Sequence, residues 1–343
     1  MSLSNAGTRG TDGQCILCGE QGWALVVRAE DMEYACRPGP FDLVSCAGCG
    51  HVYKHPMPAP EEIASLYPPT YYTVNKKSPL YLDGRIYERK LLKDAEKLRR
   101  QTQGLNIRSI VDIGGGDIQR LIKVKEAFGT DVEAIAFDLQ FEQEWIDRAG
   151  RHGVRVVVGN VETDIENLTD NGHDLIVMRQ LLEHLRHPEI AVRNVYRKLR
   201  PNGIVIIDTP NRGGLDYHLW KRKYWGGYHI PRHFHLFTLP SLTRLMRDAG
   251  YHVYDQGYLP SLGFWVMSLR NQLGLNSARR GKSLWEFLYF KNIPLSVFFI
   301  LFDWVRIRLG FQSSNQFIVG QKREPSPANA ARHEVKGSQQ FSF

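Results

Sequence analysis

The pattern best suited to chemistry in this sequence lies between Val111 and Arg120, where an apolar run meets three consecutive glycines. The β-branched residues before the glycines favour a buried parallel strand, and the residues after them can open a helix. Glycines at such a turn accept unusual backbone dihedrals and let a ligand approach the main chain. A second apolar run, Val132 to Asp138, ends in a carboxylate that can accept hydrogen bonds from both hydroxyls of a ribose. Together the two segments predict a site for an adenosine ligand.

The glycine spacing separates two kinds of adenosine ligand. A dinucleotide site requires a third glycine two or three positions further on, where the helix packs beside a pyrophosphate. Asp117, Ile118 and Gln119 stand there instead, and an acidic residue at 117 would repel a pyrophosphate. A sulfonium ligand with an amino-acid tail suits the turn better. From these residues on, the chain resembles the class I S-adenosylmethionine-dependent methyltransferases, whose first motif corresponds to Asp112, Gly114 and Gly116.

The segments that follow keep the order of that family. The sequence Arg179 to Leu185, RQLLEHL, resembles the ubiquinone-methyltransferase-like branch. The resemblance implies an α/β fold: a Rossmann-like, doubly wound sheet of seven strands, with ligands at the carboxyl ends of the strands. Further elements are predicted as strands 154–158, 174–178, 204–208, 252–259 and 316–321, a helix at about 190–199 and a turn at 201–203. The resemblance implies these cofactor-binding residues: Asp112, Gly114, Gly115, Gly116, Asp138, Asn160, Val161 and Arg179.

All five cysteines lie within the first 49 residues. Cys15 and Cys18 form one Cys-x2-Cys pair and Cys46 and Cys49 another, with 27 residues between the pairs. Each pair can aim two thiolates at one tetrahedral ion, so we predict a structural Zn²⁺ whose closed shell leaves no position for catalysis. Cys36 is left as a free thiol. The first 75 residues resemble the amino-terminal zinc module of bacterial methyltransferases that act in sugar, polysaccharide and natural-product pathways.

A candidate general base lies in the aromatic, glycine-rich segment 224–238, just after the fifth strand of the predicted sheet. An alcohol is a poor nucleophile until its proton leaves, and histidine is suited to accept that proton near neutral pH. Pro231-Arg232-His233 resembles a family pattern that precedes a helix, which makes His233 the first candidate for the base. The alternative is that His233 only holds the loop by a hydrogen bond, in which case attention moves to His229 or His184.

The pair Glu183-His184 raises the possibility of a catalytic metal. Some metal-dependent RNA and ubiquinone methyltransferases carry Glu-x2-Glu-His at this place, whereas this chain has Gln180 where the first carboxylate would be. The loss of that oxygen ligand disfavours magnesium. We therefore interpret Glu183-His184 as packing or as structure beside the cofactor.

Composition limits the remaining possibilities. The chain has 343 residues, 43% of them hydrophobic and 23% charged, which is typical of a globular protein and excludes disorder over most of it. Its net charge of +8 comes largely from Arg85–Arg100 and Arg212–Lys223, and we interpret it as a solvated basic face. The sequence is expected to divide into a zinc-binding module (1–75), a helical linker (76–105), a methyltransferase domain (106–260 and 311–324), a hydrophobic helical insertion (261–310) and a disordered tail (325–343).

These observations predict a methyltransferase that acts on oxygen of a sugar, polysaccharide or lipid-linked metabolite. The alternatives are an RNA methyltransferase, or a zinc-ribbon nucleic-acid-binding protein on a degenerate scaffold, although nucleic acid is not the expected partner. The amino terminus has no apolar signal segment, so a cytoplasmic location is expected. Residues 284–310 are apolar with basic flanks, and they are expected to form a lid, a peripheral contact with the inner face of the membrane, or an oligomer contact.

Overall fold

The computed structural model describes residues 13–68, 71, 84–116, 118–274 and 292–323. Some predictions concern residues outside these ranges. They are the predictions for Asp117, for part of the linker, for the basic flank that precedes the 284–310 segment, for the first part of that segment, and for the tail 325–343.

A small antiparallel sheet carries the cysteines. Strands β1 (Trp23–Ala29), β2 (Phe41–Cys46) and β3 (Val52–His55) come from the amino-terminal region, and β9 (His235–Leu236) is the fourth strand. The pairs Val52–Leu236 and Tyr53–His235 join β3 to β9. The small sheet is thus completed by a strand that begins two residues after the candidate base, His233. The short helix α1 (Pro60–Ile63) follows β3.

The large sheet has the seven strands that the sequence predicts. Their spatial order is β10-β11-β8-β7-β4-β5-β6; the five strands from β8 to β6 are parallel, and β11 runs antiparallel between β8 and β10. This confirms the Rossmann-like seven-stranded fold. The strands are β4 (Ser109–Ile113), β5 (Glu133–Asp138), β6 (Val154–Val158), β7 (His173–Arg179), β8 (Leu199–Pro210), β10 (His252–Leu259) and β11 (Asn315–Gln321).

One local prediction was wrong. The turn expected at 201–203 is part of β8, which starts already at Leu199. Asn202 there adopts a left-handed φ of 65°, and the pairing with β7 shifts register between His173 and Leu175. The irregularity is absorbed within the strand, because asparagine tolerates left-handed backbone better than most residues.

Helices cover both faces of the large sheet because its central strands are apolar on both sides. Val111 and Ile113 of β4 pack in the core with the helices 188–198 and 239–248 on one face, whereas Ile110 packs with the helices 84–101, 118–128 and 143–151 on the other. The two faces of a strand alternate, so residue 112 points to the same side as Ile110. The covering helices are α2 (Gly84–Gln101), α3 (Ile118–Phe128), α4 (Gln143–Arg151), α5 (Pro188–Lys198) and α7 (Leu239–Asp248); α6 (Leu215–Trp220) follows β8.

The carboxyl-terminal insertion contains two described helices, α8 (Leu262–Gln272) and α9 (Ile293–Arg308). Phe299 of α9 stacks on Trp265 of α8, with ring centroids 5.2 Å apart. The buried Asp303 accepts hydrogen bonds from Trp265 Nε1 and from the main chain of Ser261. The outer side of α9 is exposed, including Phe298, Val297, Ile300, Leu301, Trp304 and Val305. Among the described helices, none has the length and apolar character needed to cross a membrane.

Candidate active site

The glycine turn after β4 requires glycine for two separate steric reasons. Gly114 has φ +70°, and a Cβ there would lie 2.8 Å from the Leu181 side chain. A Cβ on Gly115 would lie 2.6 Å from Asp112 Oδ2. Gly116 also has positive φ, and its N–H points to Asp138 Oδ2 at 2.9 Å. Side chains at positions 114 and 115 would collide with the protein itself, so glycine is needed to keep this turn in a shape whose partly exposed main chain a ligand can approach.

Asp112 is held on the helix side of this turn. Its side chain is buried, and both carboxylate oxygens lie 2.8 Å from Arg120 Nη2 on α3. The buried ion pair ties the end of β4 to the start of the next helix, which fixes the glycine turn between them. Sequence reasoning did not single out Arg120 for this contact.

Asp138 lies at the end of β5, opposite the turn. Its Oδ2 accepts from the Gly116 N–H and its Oδ1 from the Leu139 N–H at 2.7 Å. Burial raises its pKa, while the two main-chain donors act in the opposite direction. Each carboxylate oxygen can accept more than one hydrogen bond, so Asp138 retains acceptor capacity for ribose hydroxyls.

In the segment after β6, the side chains of Asn160 and Val161 are engaged within the protein. Asn160 Oδ1 accepts the Glu162 N–H at 2.9 Å, which closes a local turn. The Val161 side chain is buried in the core. A ligand contact at these two positions would therefore use backbone groups and the Asn160 amide nitrogen.

Arg179 is the last residue of β7, and Gln180 follows it. Arg179 Nε lies 3.6 Å from Asp208 Oδ2. Gln180 has a left-handed φ of 47°, and its amide donates to Asp208 and Asn315 at 3.1 Å each. Gln180 is therefore engaged away from Glu183, and the triple of side chains seen in Glu-x2-Glu-His methyltransferases does not form.

Glu183 and His233 meet in the interior although 50 positions separate them. The Phe234 N–H donates to the Glu183 carbonyl at 2.7 Å, and the Phe234 carbonyl accepts from the Lys54 N–H of β3. This places the His233 segment between the turn after β7 and the small sheet. Glu183 Oε2 accepts from Thr209 Oγ1 at 2.8 Å. Glu183 Oε1 is buried without a hydrogen-bond partner among the described residues and lies 4.0 Å from His233 Nε2.

The protonation states of this pair follow from its surroundings. His233 Nδ1 lies 2.8 Å from the Gly227 carbonyl, so Nδ1 carries the proton and Nε2 has a free lone pair. Burial lowers the pKa of His233 well below its usual value, and the neighbouring His184 and His229 add to this. Burial raises the pKa of Glu183 to about 8. The pair thus combines a neutral imidazole acceptor with a carboxyl group that ionises near pH 8.

His184 completes the cluster. Its Nδ1 lies 3.0 Å from the Arg232 carbonyl and 3.1 Å from the Tyr67 hydroxyl, and burial lowers its pKa to about 3. One ligand atom each from Glu183, His184 and His233 lies within 4.8 Å of the others, close enough to share an ion.

Side chains from the amino-terminal region also reach this cluster, and sequence reasoning missed them. Arg232 donates to both oxygens of Asp31 at 2.9 Å, with both side chains fully buried. His229 Nδ1 lies 2.6 Å from Glu33 Oε2. No local pattern marks these pairs, because their partners are about 200 residues apart in the chain.

The four paired cysteines come together as predicted. Cys15 and Cys49 Sγ atoms lie 3.5 Å apart, and those of Cys18 and Cys46 lie 3.4 Å apart. Four thiols that converge in this way fit a tetrahedral zinc ion, with Zn–S bonds of about 2.3 Å. Cys36 lies apart from them, and its thiol donates to Asp31 at 2.9 Å.

The sheet, the glycine turn and Asp138 define the class of α/β proteins that bind an adenosine ligand at the carboxyl edge of the sheet. A family model described as a methyltransferase domain matches residues 83–256, just over half of the chain. The chain therefore belongs to the class I S-adenosylmethionine-dependent methyltransferases.

Individual relatives are distant. The chain is 25% identical over 169 residues to a ubiquinone biosynthesis O-methyltransferase of Rickettsia canadensis (strain McKiel), covering 47% of this chain and 69% of that protein. It is 33% identical over 92 residues to a probable S-adenosylmethionine-dependent methyltransferase of Mycolicibacterium smegmatis, covering 26% of this chain and 32% of that protein. The solved 1,6-didemethyltoxoflavin-N1-methyltransferase of Burkholderia thailandensis is 17% identical with a TM-score of 0.47, covering 81% of this chain and 98% of that one.

Proposed function

We propose that this methyltransferase methylates an oxygen of a sugar, polysaccharide or lipid-linked metabolite, with His233 as the proton acceptor. The observation that carries the proposal is the free Nε2 lone pair of His233 beside Glu183. The turn that bears Glu183 also bears Leu181, which lies over Gly114 of the cofactor turn. Oxygen as the acceptor atom is supported by the O-methyltransferase relative.

The residues of the site would have separate roles in cofactor binding and in proton transfer. S-adenosylmethionine, when bound, supplies an electrophilic methyl group on sulfur. Asp138 would hold the ribose, the main chain of Gly114 to Gly116 would face the amino-acid tail, and Asn160 and Val161 would border the adenine. The acceptor hydroxyl would lose its proton to His233 Nε2 as the new carbon–oxygen bond forms and the carbon–sulfur bond breaks. Ionised Glu183 would stabilise the resulting imidazolium.

The Cys15, Cys18, Cys46 and Cys49 cluster would hold a structural Zn²⁺ in the same proposal. Four thiolates saturate the ion, so its contribution would be to fold the small sheet. That sheet includes β9, two residues after His233. Zinc would therefore influence the base through the position of this strand and not by direct chemistry.

The experiment for the acceptor uses methyl-labelled S-adenosylmethionine and fractionated bacterial extract. Nucleotide sugars, polysaccharide, lipid and RNA are incubated separately with the wild-type protein. Label in a carbohydrate or lipid-linked fraction supports the proposal. Label in RNA would instead favour the RNA methyltransferase alternative, and salt-sensitive RNA binding without turnover would favour a nucleic-acid-binding protein.

We also propose that α9 makes peripheral contact with an anionic membrane. Its outer side exposes Phe298, Leu301 and Trp304, and the cationic Arg308 stands in its last turn. Apolar side chains beside cations are the composition of helices that lie at a membrane surface. This contact would place a lipid-linked acceptor near the enzyme, in keeping with a location at the inner face of the membrane.

A further inference from the structure

The amino-terminal region contacts the loop that carries the candidate base and holds it in place. Arg232 lies between His233 and Pro231, and its guanidinium is fully buried. It donates to both Asp31 oxygens and to the Leu66 carbonyl at 3.3 Å. A carboxylate bound at two points is a geometrically demanding contact, because the planar guanidinium fixes both direction and distance. The loop around His233 is therefore anchored on residues that precede the methyltransferase domain.

Contacts with Arg232 and with the amino-terminal region fix the tautomer of a second histidine, His229. Arg232 Nε donates to His229 Nε2 at 3.1 Å. Arginine can only donate, so Nε2 must be an acceptor and the proton must reside on Nδ1. That proton faces Glu33 Oε2 at 2.6 Å. The Tyr71 hydroxyl lies 3.2 Å from the same Nε2 and is therefore a second donor to it.

His229 in turn packs against the candidate base. Its ring centroid lies 4.9 Å from that of His233, which packs edge-on against His184 at 4.7 Å. His229 has a left-handed φ of 39°, a conformation that non-glycine residues adopt only when the surroundings hold them there. Glu33, Arg232 and Tyr71 are the polar partners of its ring nitrogens.

We propose that Glu33 is a positioning residue of the methyl-transfer site. It acts through His229: the carboxylate fixes the His229 ring, and that ring keeps the His233 imidazole turned with Nδ1 toward the Gly227 carbonyl and Nε2 toward the acceptor. This inference rests on the proposed role of His233 and deepens it. It assigns the amino-terminal region a part in methyl transfer besides holding zinc.

The test compares Glu33→Gln, which removes the charge but keeps the size, with Glu33→Asp, which keeps the charge. Asp42→Asn is the matched control, because it removes a carboxylate of the same region that pairs with the exposed Arg28, 2.6 Å away. Zinc content, S-adenosylmethionine affinity, turnover on the labelled acceptor fraction, and the ¹⁵N imidazole shifts of His229 and His233 are measured for each variant.

We expect Glu33→Gln to keep its zinc and its cofactor affinity, to lower kcat about tenfold to a hundredfold, and to shift the ¹⁵N imidazole resonances of His229 and His233, because the His229 ring loses its charged partner. Glu33→Asp should recover part of kcat, and Asp42→Asn should match the wild type. Unchanged imidazole shifts in Glu33→Gln would overturn the inference, as would a parallel loss of zinc or cofactor binding. If the wild type transfers no methyl group, the proposed function fails, whereas the imidazole shifts still decide whether Glu33 positions the two rings.

Discussion

Replacing Glu183 by glutamine should abolish a pH dependence that the wild type shows near pH 8. Burial raises the pKa of this carboxyl to about 8, so about one tenth of it is ionised at pH 7. Neutral His233 is a weak base, and ionised Glu183 makes it a stronger one. The wild-type rate should therefore rise roughly tenfold between pH 7 and pH 9, whereas Glu183→Gln should be slow and flat across this range.

The raised pKa of Glu183 also predicts how the stability of the fold depends on pH. This can be measured without an acceptor substrate. The pKa of this carboxyl is higher in the folded chain than the ordinary glutamate value of about 4.3. The contribution of Glu183 to the free energy of unfolding is fully present below about pH 4.3 and is lost as the pH rises through about 8. The limit of this loss is on the order of 5 kcal/mol, from about 1.4 kcal/mol per pKa unit. Glu183→Gln should therefore lose less stability than the wild type between pH 5 and pH 8.5.

Initial rates at saturating S-adenosylmethionine and urea unfolding at the two pH values measure these effects. Asp216→Asn is the control, since burial raises the pKa of Asp216 only to about 6 and its partners are Trp225 and Ser314. It should leave the rise near pH 8 in place. A rise that persists in Glu183→Gln would refute the assignment of Glu183 as the partner of His233.

Three further predictions concern other parts of the molecule. Purified protein should contain about one zinc per chain. Cys46→Ser should unfold the small sheet, because such sites contribute roughly 10 kcal/mol or more to the free energy of folding. A second metal equivalent that is lost in His184→Ala would show that the Glu183 cluster binds metal. Asp138→Ala should weaken the binding of S-adenosylmethionine by about 1.5–3 kcal/mol, roughly ten- to a hundredfold in affinity. An unchanged affinity by calorimetry would mean that the ribose lies elsewhere. The wild type should float with anionic vesicles, and Phe298→Asp with Leu301→Asp should release it without a change in melting temperature. A lowered melting temperature or a dissociated oligomer would instead assign that face of α9 to protein contacts.

The sequence predicted those features that depend on short segments. The seven strands and the glycine turn follow from apolar runs and from Gly114 to Gly116, and both depend on a few neighbouring residues. The convergence of Cys18 and Cys46 follows from two knuckle spacings in the same way. The apolar stripe of α9 was also visible, but the sequence did not show which side of it packs inward on Trp265.

The contacts that surround His233 depend on tertiary packing and were not predictable. Arg232 was noticed only as part of a local pattern, and its bidentate partner Asp31 has no mark in the sequence. Glu183 was interpreted as packing or as structure beside the cofactor, and only the folded chain shows that its Oε1 lies 4.0 Å from His233 Nε2, without a hydrogen-bond partner among the described residues. The pairing of β9 with β3 joins two segments about 180 residues apart, so a module boundary drawn at residue 75 omits the strand that completes the small sheet.

The role of His233 as the base is tested most directly by the turnover of His233→Ala on the acceptor fraction that the wild type labels. We expect kcat to fall by about 10²–10⁴ while calorimetry gives the same affinity for S-adenosylmethionine, because the base acts on the acceptor. His218→Ala, which changes an exposed histidine, serves as the control and should keep full activity. A loss smaller than tenfold in His233→Ala, or an equal loss of cofactor binding, would contradict the role of His233 as the base.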